Sequence, residues 1–489
     1  MNDFRNSVKH VMTVFLVFFV ALISYIAYFQ AFKAHDIATD TSNKRLWAKR
    51  NEVLRGIIYD RNGNALTSGE KTGDLTQSRS YIGGDVYTHA LGYMSQKYGL
   101  TGLEKAYDEE LSTYTSTTKS GLVSFMQDFS LDKLKEAFNT RDQEEVKVGN
   151  GVITTLNPTI QQAAYDAIGN DRGAAVVLNP KTGEVLAMVS KPSYNPNDLD
   201  AAMAAANAGT AENSPLINRA TSGLYPPGST FKTITTASAL ENISGVKNKI
   251  FEDNGKIVFN STQSLQNAGG SSYGPQSLEQ AFINSSNVVF GTLAMELGNN
   301  KLKATAEKFG FNNEVPTTGF SLTKSSFPTL ESYEKGMIAQ SGIGQSSIVA
   351  TPMQMALVAS TIANNGVMMQ PTLVNEVVDM NKNSLNKTTY KKYGQVLSSN
   401  DAQTIAGYMK NLVDDHAWAD FRGIDAAGKT GTADHTDSNG KLATPHSWFI
   451  GFAPSDNPQI AVAVIIENGN WGATAAAPAA AKIIKAALK

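Results

Sequence analysis

For residues 151–489 the sequence predicts a mixed α/β (α+β) fold: one antiparallel sheet flanked by helices, plus an all-helical lobe. Three observations carry this. Residues 174–178 and 184–190 form a strand pair across the turn Asn179-Pro180-Lys181-Thr182-Gly183. Residues 447–453 and 459–467 are two late apolar runs of strand length, followed by an alanine-rich stretch, 475–489, that reads as a helix with Pro478 in its first turn. Between these ends, the segments through about Met409 read mostly as helices. Strands at both ends imply a sheet in which the first and last strands meet. Roughly 340 residues is large for one domain, so the helices are expected to gather in a second lobe with a cleft at the junction.

The amino terminus is apolar enough to cross a membrane. Residues 11–32 are interrupted only by Thr13, Ser24 and Gln30, and as a helix they span roughly 33 Å against a hydrocarbon core of roughly 30 Å. Tyr25, Tyr28 and Phe29 lie towards the outer end, where aromatic anchors sit. No small-residue cleavage site follows, so the segment is read as an uncleaved anchor behind a tail of residues 1–10. Flanking charge does not set its orientation: Arg5 and Lys9 precede it, and Lys33, Lys44, Arg45, Lys49 and Arg50 follow.

Residues 33–150 are more polar and read as a small pedestal module. Arg55 to Leu66 gives a strand, an Asn-Gly turn and a second strand start, and Gly99 to Asp108 gives a turn leading into a helix. A net charge of −2 without a basic run excludes nucleic acid as a partner. The absence of cysteine excludes thiolate chemistry, and the six histidines show no metal-ligand spacing.

Chemistry enters through three short motifs. Ser229-Thr230-Phe231-Lys232 comes first, Ser285-Ser286-Asn287 follows 56 residues later, and Lys429-Thr430-Gly431-Thr432 comes near the end. Together they supply a nucleophile, a base, a proton shuttle and an anion clamp, as acyl transfer through a serine ester requires. Ser229 follows Pro226-Pro227-Gly228 and opens a helix-like run, and three residues of helix place Lys232 on its face, roughly 5–6 Å away at Cβ. Ser285 and Asn287 are polar residues cut into an otherwise apolar segment, where a cleft would satisfy them. Residues 429–433 read as a strand that presents hydroxyls and an amide along its edge.

Each motif has decoys that context removes. S-x-x-K also starts at Ser68, Ser116, Ser130, Ser244, Ser321, Ser332, Ser384 and Ser438, where a capping serine beside a solvated lysine is the default reading. Ser455-Asp456-Asn457 sits between two apolar runs and reads as a hairpin turn. Gly423 to Thr430 satisfies the P-loop pattern, but no strand precedes it and no helix follows. Gly270-Ser271-Ser272-Tyr273-Gly274 fits a nucleophile elbow by letter only, with loop residues on both sides.

With these residues in place the chain resembles the class B penicillin-binding proteins, the monofunctional peptidoglycan D,D-transpeptidases, in a short form without a C-terminal accessory module. The three motifs match in order. So do Arg55-Gly56 with Asp60-Arg61-Asn62-Gly63, Gly102-Leu103-Glu104 with Tyr107-Asp108, and Gly344-Gln345 with Thr351-Pro352-Met353-Gln354-Met355-Ala356. The resemblance implies a penicillin-binding transpeptidase fold, like that of serine β-lactamases, over residues 151–489, carried by a pedestal (33–150), an anchor (11–32) and a cytoplasmic tail (1–10).

It further implies that Ser229 attacks the carbonyl between the terminal D-alanines of a stem peptide, with Lys232 as base. Ser285, helped by Lys429, would relay the proton to the departing D-alanine. Asn287 would bind the donor backbone, and Thr430, Gly431 and Thr432 the substrate carboxylate. The amides of Ser229 and Thr432 would form the oxyanion hole. A second stem peptide's amine then takes the acyl group, without metal or cofactor, and β-lactams would acylate Ser229 as mimics of D-Ala-D-Ala. A membrane glycosyltransferase of the wall-synthesis complex is the implied partner, and the catalytic domain would lie outside the membrane. The alternatives are a D,D-carboxypeptidase, which differs only in using water as acceptor, and a membrane-anchored serine β-lactamase. Against the latter, the chain has no E-x-x-L-N segment to supply a deacylating glutamate.

Overall fold

Alternation along the buried strands decides the layering. The computed structural model describes residues 2–33, 44–115, 147–209, 213–437 and 439–489. Its central sheet is built from β1 (Gly173–Leu178), β2 (Val185–Lys191), β3 (Ala427–Ala433), β4 (His446–Ala453) and β5 (Ile460–Ile466), in the order β3-β4-β5-β1-β2. All neighbours are antiparallel, and the last strand pairs with the first, Val462 opposite Val177, as expected. The principal helices are α1 (Asn2–Phe32), α2 (Pro158–Ile168), α3 (Lys232–Asn242), α4 (Leu278–Ile283), α5 (Asn287–Lys308), α6 (Pro352–Ala363), α7 (Ser399–His416) and α8 (Ala476–Ala487), of which α2, α6, α7 and α8 pack on the sheet.

In β5, Ile460, Val462, Val464 and Ile466 face one core with α2 and α8, while Ala461, Ala463 and Ile465 face the other. The small alanines lie where α6 presses against the sheet, and every residue from Pro352 to Ile362 is buried there. Local signals start these helices. Asn157 accepts from the amides of Thr159 and Ile160 ahead of Pro158, and Thr351 accepts from Gln354 ahead of Pro352.

The second lobe, expected to be all helix, also carries two antiparallel strand pairs, Ile250–Asp253 with Gly274–Ser277 and, between them in the chain, Lys256–Val258 with Ser264–Gln266. Four further strands, Val367–Met369, Val374–Val378, Ser384–Lys387 and Lys392–Gln395, lie in the stretch read as mostly helical. Strands this short, such as the fully exposed Ser384–Lys387, carry no apolar alternation to read.

Helix α1 starts at Asn2, earlier than the apolar run predicts. Within its stretch Arg5–Phe32 an 18-residue window reaches a mean hydropathy of 2.4, and the helix fits a single-pass membrane anchor. The pedestal expectation covers residues 34–43 and 116–146, which lie outside the described residues, as do the decoy serines Ser116, Ser130 and Ser438. Within the described part, Ile58–Tyr59 pairs in parallel with Gly151–Thr154, which pairs on its other side with Val374–Val378. A second tie is the Asn197 side chain, bonded to both the amide and the carbonyl of Tyr81.

The residues that carry the amino-terminal signatures form a buried ion cluster. Glu104, with no exposed surface, accepts from Arg55 Nε at 2.5 Å and from Arg79 Nε at 2.7 Å, and Arg55 also pairs with Asp108 at 2.8 Å. Burial pushes the Glu104 carboxyl up, but Arg79 and Arg55 outweigh it and hold it below its ordinary value. Removing Glu104 leaves two buried guanidinium groups without their shared anion. Glu104→Ala is therefore expected to cost about 3–5 kcal/mol in urea denaturation. A change under about 1 kcal/mol, the surface-pair range, would contradict this account of the cluster.

Candidate active site

Ser229 sits at a turn of the chain, not inside an α-helix. Gly228–Phe231 is a 3₁₀ turn that runs directly into α3 at Lys232. In a 3₁₀ turn residues three apart eclipse, which puts Ser229 and Lys232 on one side. Gly228 is required there. Its φ is +54°, its amide donates to Gly344 O at 2.9 Å, and a Cβ on it would lie 2.6 Å from Thr432 O. That contact presses the backbone before Ser229 against the third motif.

Lys232 and Lys429 are both fully buried, and both reach Ser285. Lys232 Nζ donates to Ser285 O at 2.6 Å, Ser285 Oγ at 3.1 Å and Asn287 Oδ1 at 2.8 Å. Lys429 Nζ donates to the same Ser285 Oγ at 3.0 Å and to Thr430 O at 3.2 Å. Phe290 and Phe282 wall the two amines at 5.5 and 5.6 Å from the ring centres. No carboxylate forms an ion pair with either amine among the described residues. Burial, then the neighbouring Lys429, holds Lys232 well below its ordinary value, and burial brings Lys429 down to about 7. A lysine that sheds its proton this readily is able to serve as a base.

Ser285 itself is held at φ +54°, a left-handed conformation that costs a non-glycine residue about 1–3 kcal/mol. It lies in the break between α4 and α5. Ser286 caps α5 by accepting from Val289 N at 3.0 Å, and Asn267 Oδ1 accepts from the amides of Asn287 and Val288 at 2.7 and 3.1 Å. Asn287 Nδ2 donates to Gln266 O at 2.9 Å.

Lys429, Thr430, Gly431 and Thr432 lie on β3, opposite Ile450, Phe449, Trp448 and Ser447 of β4. Strand β3 is the sheet edge, paired only with β4 among the described residues, so its outer side is open to an extended ligand. Ser229, Ser285, Asn287, Thr430, Gly431 and Thr432 all line one cleft of about 490 Å³ between the sheet and the helical lobe. Of the decoys, Ser455 to Asn457 turn between β4 and β5 and do not line the cleft, and the stretch that mimics a P-loop ends in β3 instead of opening a helix.

Sequence reasoning passed over several cleft residues. Asn267, Asp253 and Gln276 stand behind the second motif, and Tyr273 and Trp471 line the opening. The only advance signal was the Asp253-Asn254-Gly255 turn sequence.

Residues 173–485 match the family model described as penicillin binding protein transpeptidase domain, and residues 55–129 that of the penicillin binding protein A dimerisation domain. The chain belongs to the penicillin-binding protein transpeptidases. A relative, the peptidoglycan D,D-transpeptidase PbpA of Mycolicibacterium smegmatis, is 35% identical over 480 residues, 94% of each chain. The penicillin G acyl-enzyme of penicillin-binding protein A from M. tuberculosis superposes with a TM-score of 0.77 at 33% identity, covering 89% of this chain and all of that one. A D,D-transpeptidase domain from Eggerthella lenta gives 0.75 at 34% identity, covering 89% and 98%.

For a penicillin-binding protein of this geometry, NMR of labelled lysine side chains is expected to show an amine titrating near 7 that disappears in Lys429→Arg. In that variant the Lys232 signal should still titrate well below the ordinary lysine range. Lysines that all titrate near the ordinary value of about 10.4 would contradict the electrostatic account.

Proposed function

We propose that Ser229 carries the acyl group in the peptidoglycan D,D-transpeptidation of this family, with the two buried lysines and Ser285 moving its protons. The chain is a serine acyltransferase of cell-wall synthesis, and the division of labour among its residues is our reading. The observation that carries it is Ser285 Oγ lying 3.1 Å from Lys232 Nζ and 3.0 Å from Lys429 Nζ, in the cleft that Ser229 lines.

Lys232, its proton affinity lowered by burial, acts in its free-base form to take the Ser229 proton as Oγ attacks the carbonyl between the terminal D-alanines of the donor stem peptide. Ser285, in contact with both amines, passes a proton to the departing D-alanine nitrogen. Asn287 orients the donor backbone. Thr430 and Thr432 on the open edge of β3 hold the terminal carboxylate, and Gly431 between them leaves room for it. The amides of Ser229 and Thr432 stabilise the oxyanion, a contribution of about 2.7–4 kcal/mol per donor where measured by removal. The amine of a second stem peptide then attacks the ester and regenerates Ser229. No step calls for a metal or cofactor.

β-Lactams acylate Ser229 by the same route. Because the reaction occurs outside the membrane, α1 runs from a cytoplasmic amino terminus and the cleft is extracytoplasmic. A membrane glycosyltransferase that polymerises the strands to be crosslinked is the partner this placement calls for. The segments are a tail (1–10), an anchor (11–32), a pedestal (33–150) and the transpeptidase domain (151–489).

Intact mass after incubation with a penicillin tests the assignment. A stable adduct on the wild type, absent in Ser229→Ala, is expected, and Lys232→Ala should slow its formation by about 10²–10⁴-fold. Rapid loss of the adduct with drug turnover would indicate a β-lactamase, and an undiminished adduct on Ser229→Ala would overturn the nucleophile. With a stem-peptide donor, amine-dependent dimer formation separates transpeptidation from carboxypeptidation. A reporter fused after Lys489 is expected to be active only in its exported form; cytoplasmic activity would refute the orientation.

A further inference from the structure

Behind the second motif lies a buried carboxylate that the reaction as described does not use. Asp253 ends the strand Ile250–Asp253 and has no exposed surface. It has no lysine or arginine ion-pair partner among the described residues. Neutral donors satisfy it instead: Gly255 N at 2.9 Å, Asn267 Nδ2 at 2.8 and 2.9 Å, Gln276 Nε2 at 2.9 Å and Ser286 Oγ at 2.5 Å. Two of these donors act on the second motif directly. Ser286 caps α5 through the oxygen whose proton it gives to Asp253, and Asn267 caps the same helix at Asn287 and Val288.

We propose that Asp253 is a positioning residue for acyl transfer: it locks the Ser285-Ser286-Asn287 turn from behind, fixing Ser285 Oγ and Asn287 Oδ1 on Lys232. The inference rests on the reading of Lys232 and Ser285 given above. The physical need is plain. Ser285 is strained at φ +54°, and a strained residue persists only where its surroundings over-determine it. Asp253 supplies that constraint through Ser286 on one side of the turn and Asn267 on the other. A charged acceptor makes each of these hydrogen bonds stronger than a neutral one would be.

The same carboxylate acts on the base at longer range. The charged groups acting on Lys232 are Lys429, which lowers its proton affinity together with burial, and Asp253, which raises it. Removing the Asp253 charge should therefore let Lys232 lose its proton at lower pH. A loss of packing alone would slow the reaction without moving the acid limb of its pH profile.

The test is the second-order rate of acylation of the full chain by penicillin G from pH 4 to 9, for wild type, Asp253→Asn and Ser286→Ala, with melting temperatures in parallel. Asp253→Asn is expected to slow acylation by on the order of ten- to a hundred-fold, the range for a misplaced catalytic group, and to shift the acid limb to lower pH. Ser286→Ala, which keeps the charge, should slow acylation and leave the limb where it is. Wild-type rates and limb in a folded Asp253→Asn overturn the proposal. If Asp253→Asn does not fold, a wild-type acylation rate in Ser286→Ala overturns it instead. Failure of the wild type itself to acylate would strike the underlying reading of Ser229 and not this one.

Discussion

Two lysine amines buried on one serine hydroxyl, without a carboxylate ion-paired to either among the described residues, are the constraint on which the site depends. Burying one unpaired ammonium is costly, and burying two side by side is more so. Burial accordingly lowers the proton affinity of both amines, which is what our reading of Lys232 as the base requires. The arrangement holds only if both amines are kept from water and Ser285 is kept between them. The phenyl walls of Phe282 and Phe290 and the full burial of α3 from Lys232 to Ala239 serve the first need.

The second need shapes the fold around the cleft. The three motifs come from a 3₁₀ turn, a helix–helix break and an edge strand, and each is fixed by an independent device. Gly228 and Gly344 bring the first turn against Thr432, since a Cβ on Gly344 would lie 2.1 Å from Gly228 O. The capped amino terminus of α5 fixes the second. Seven paired residues of β4 fix the third. The sheet is buried on both faces, and in β5 the larger Ile460, Val462, Val464 and Ile466 face α2 and α8 while Ala461 and Ala463 face α6. Its β3 edge lines the cleft through Thr430, Gly431 and Thr432.

What was legible in the sequence follows from locality. Ser229 with Lys232, Ser285 with Asn287, and Lys429 through Thr432 are short patterns whose residues act within one turn or one strand, and the structure gathers all of them at one cleft. Four strands of the central sheet were legible as apolar buried runs, whereas β3, with Thr430 and Thr432 half-buried, was legible only through its motif. Asp253, Asn267 and Gln276 were not, because they come from three short segments that only tertiary pairing brings together. Nor does composition reveal a left-handed Ser285 or a 3₁₀ turn where a helix start was expected, since both are imposed by neighbours distant in sequence.

The central claim is that Lys232 and Ser285 act as one unit, and a double-mutant cycle on penicillin acylation rates tests it most directly. Residues that act as a unit are strongly non-additive. Lys232→Ala and Ser285→Ala combined are therefore expected to acylate no more slowly than the slower single variant. Losses that multiply in the double variant would show two independent contributions and contradict the account.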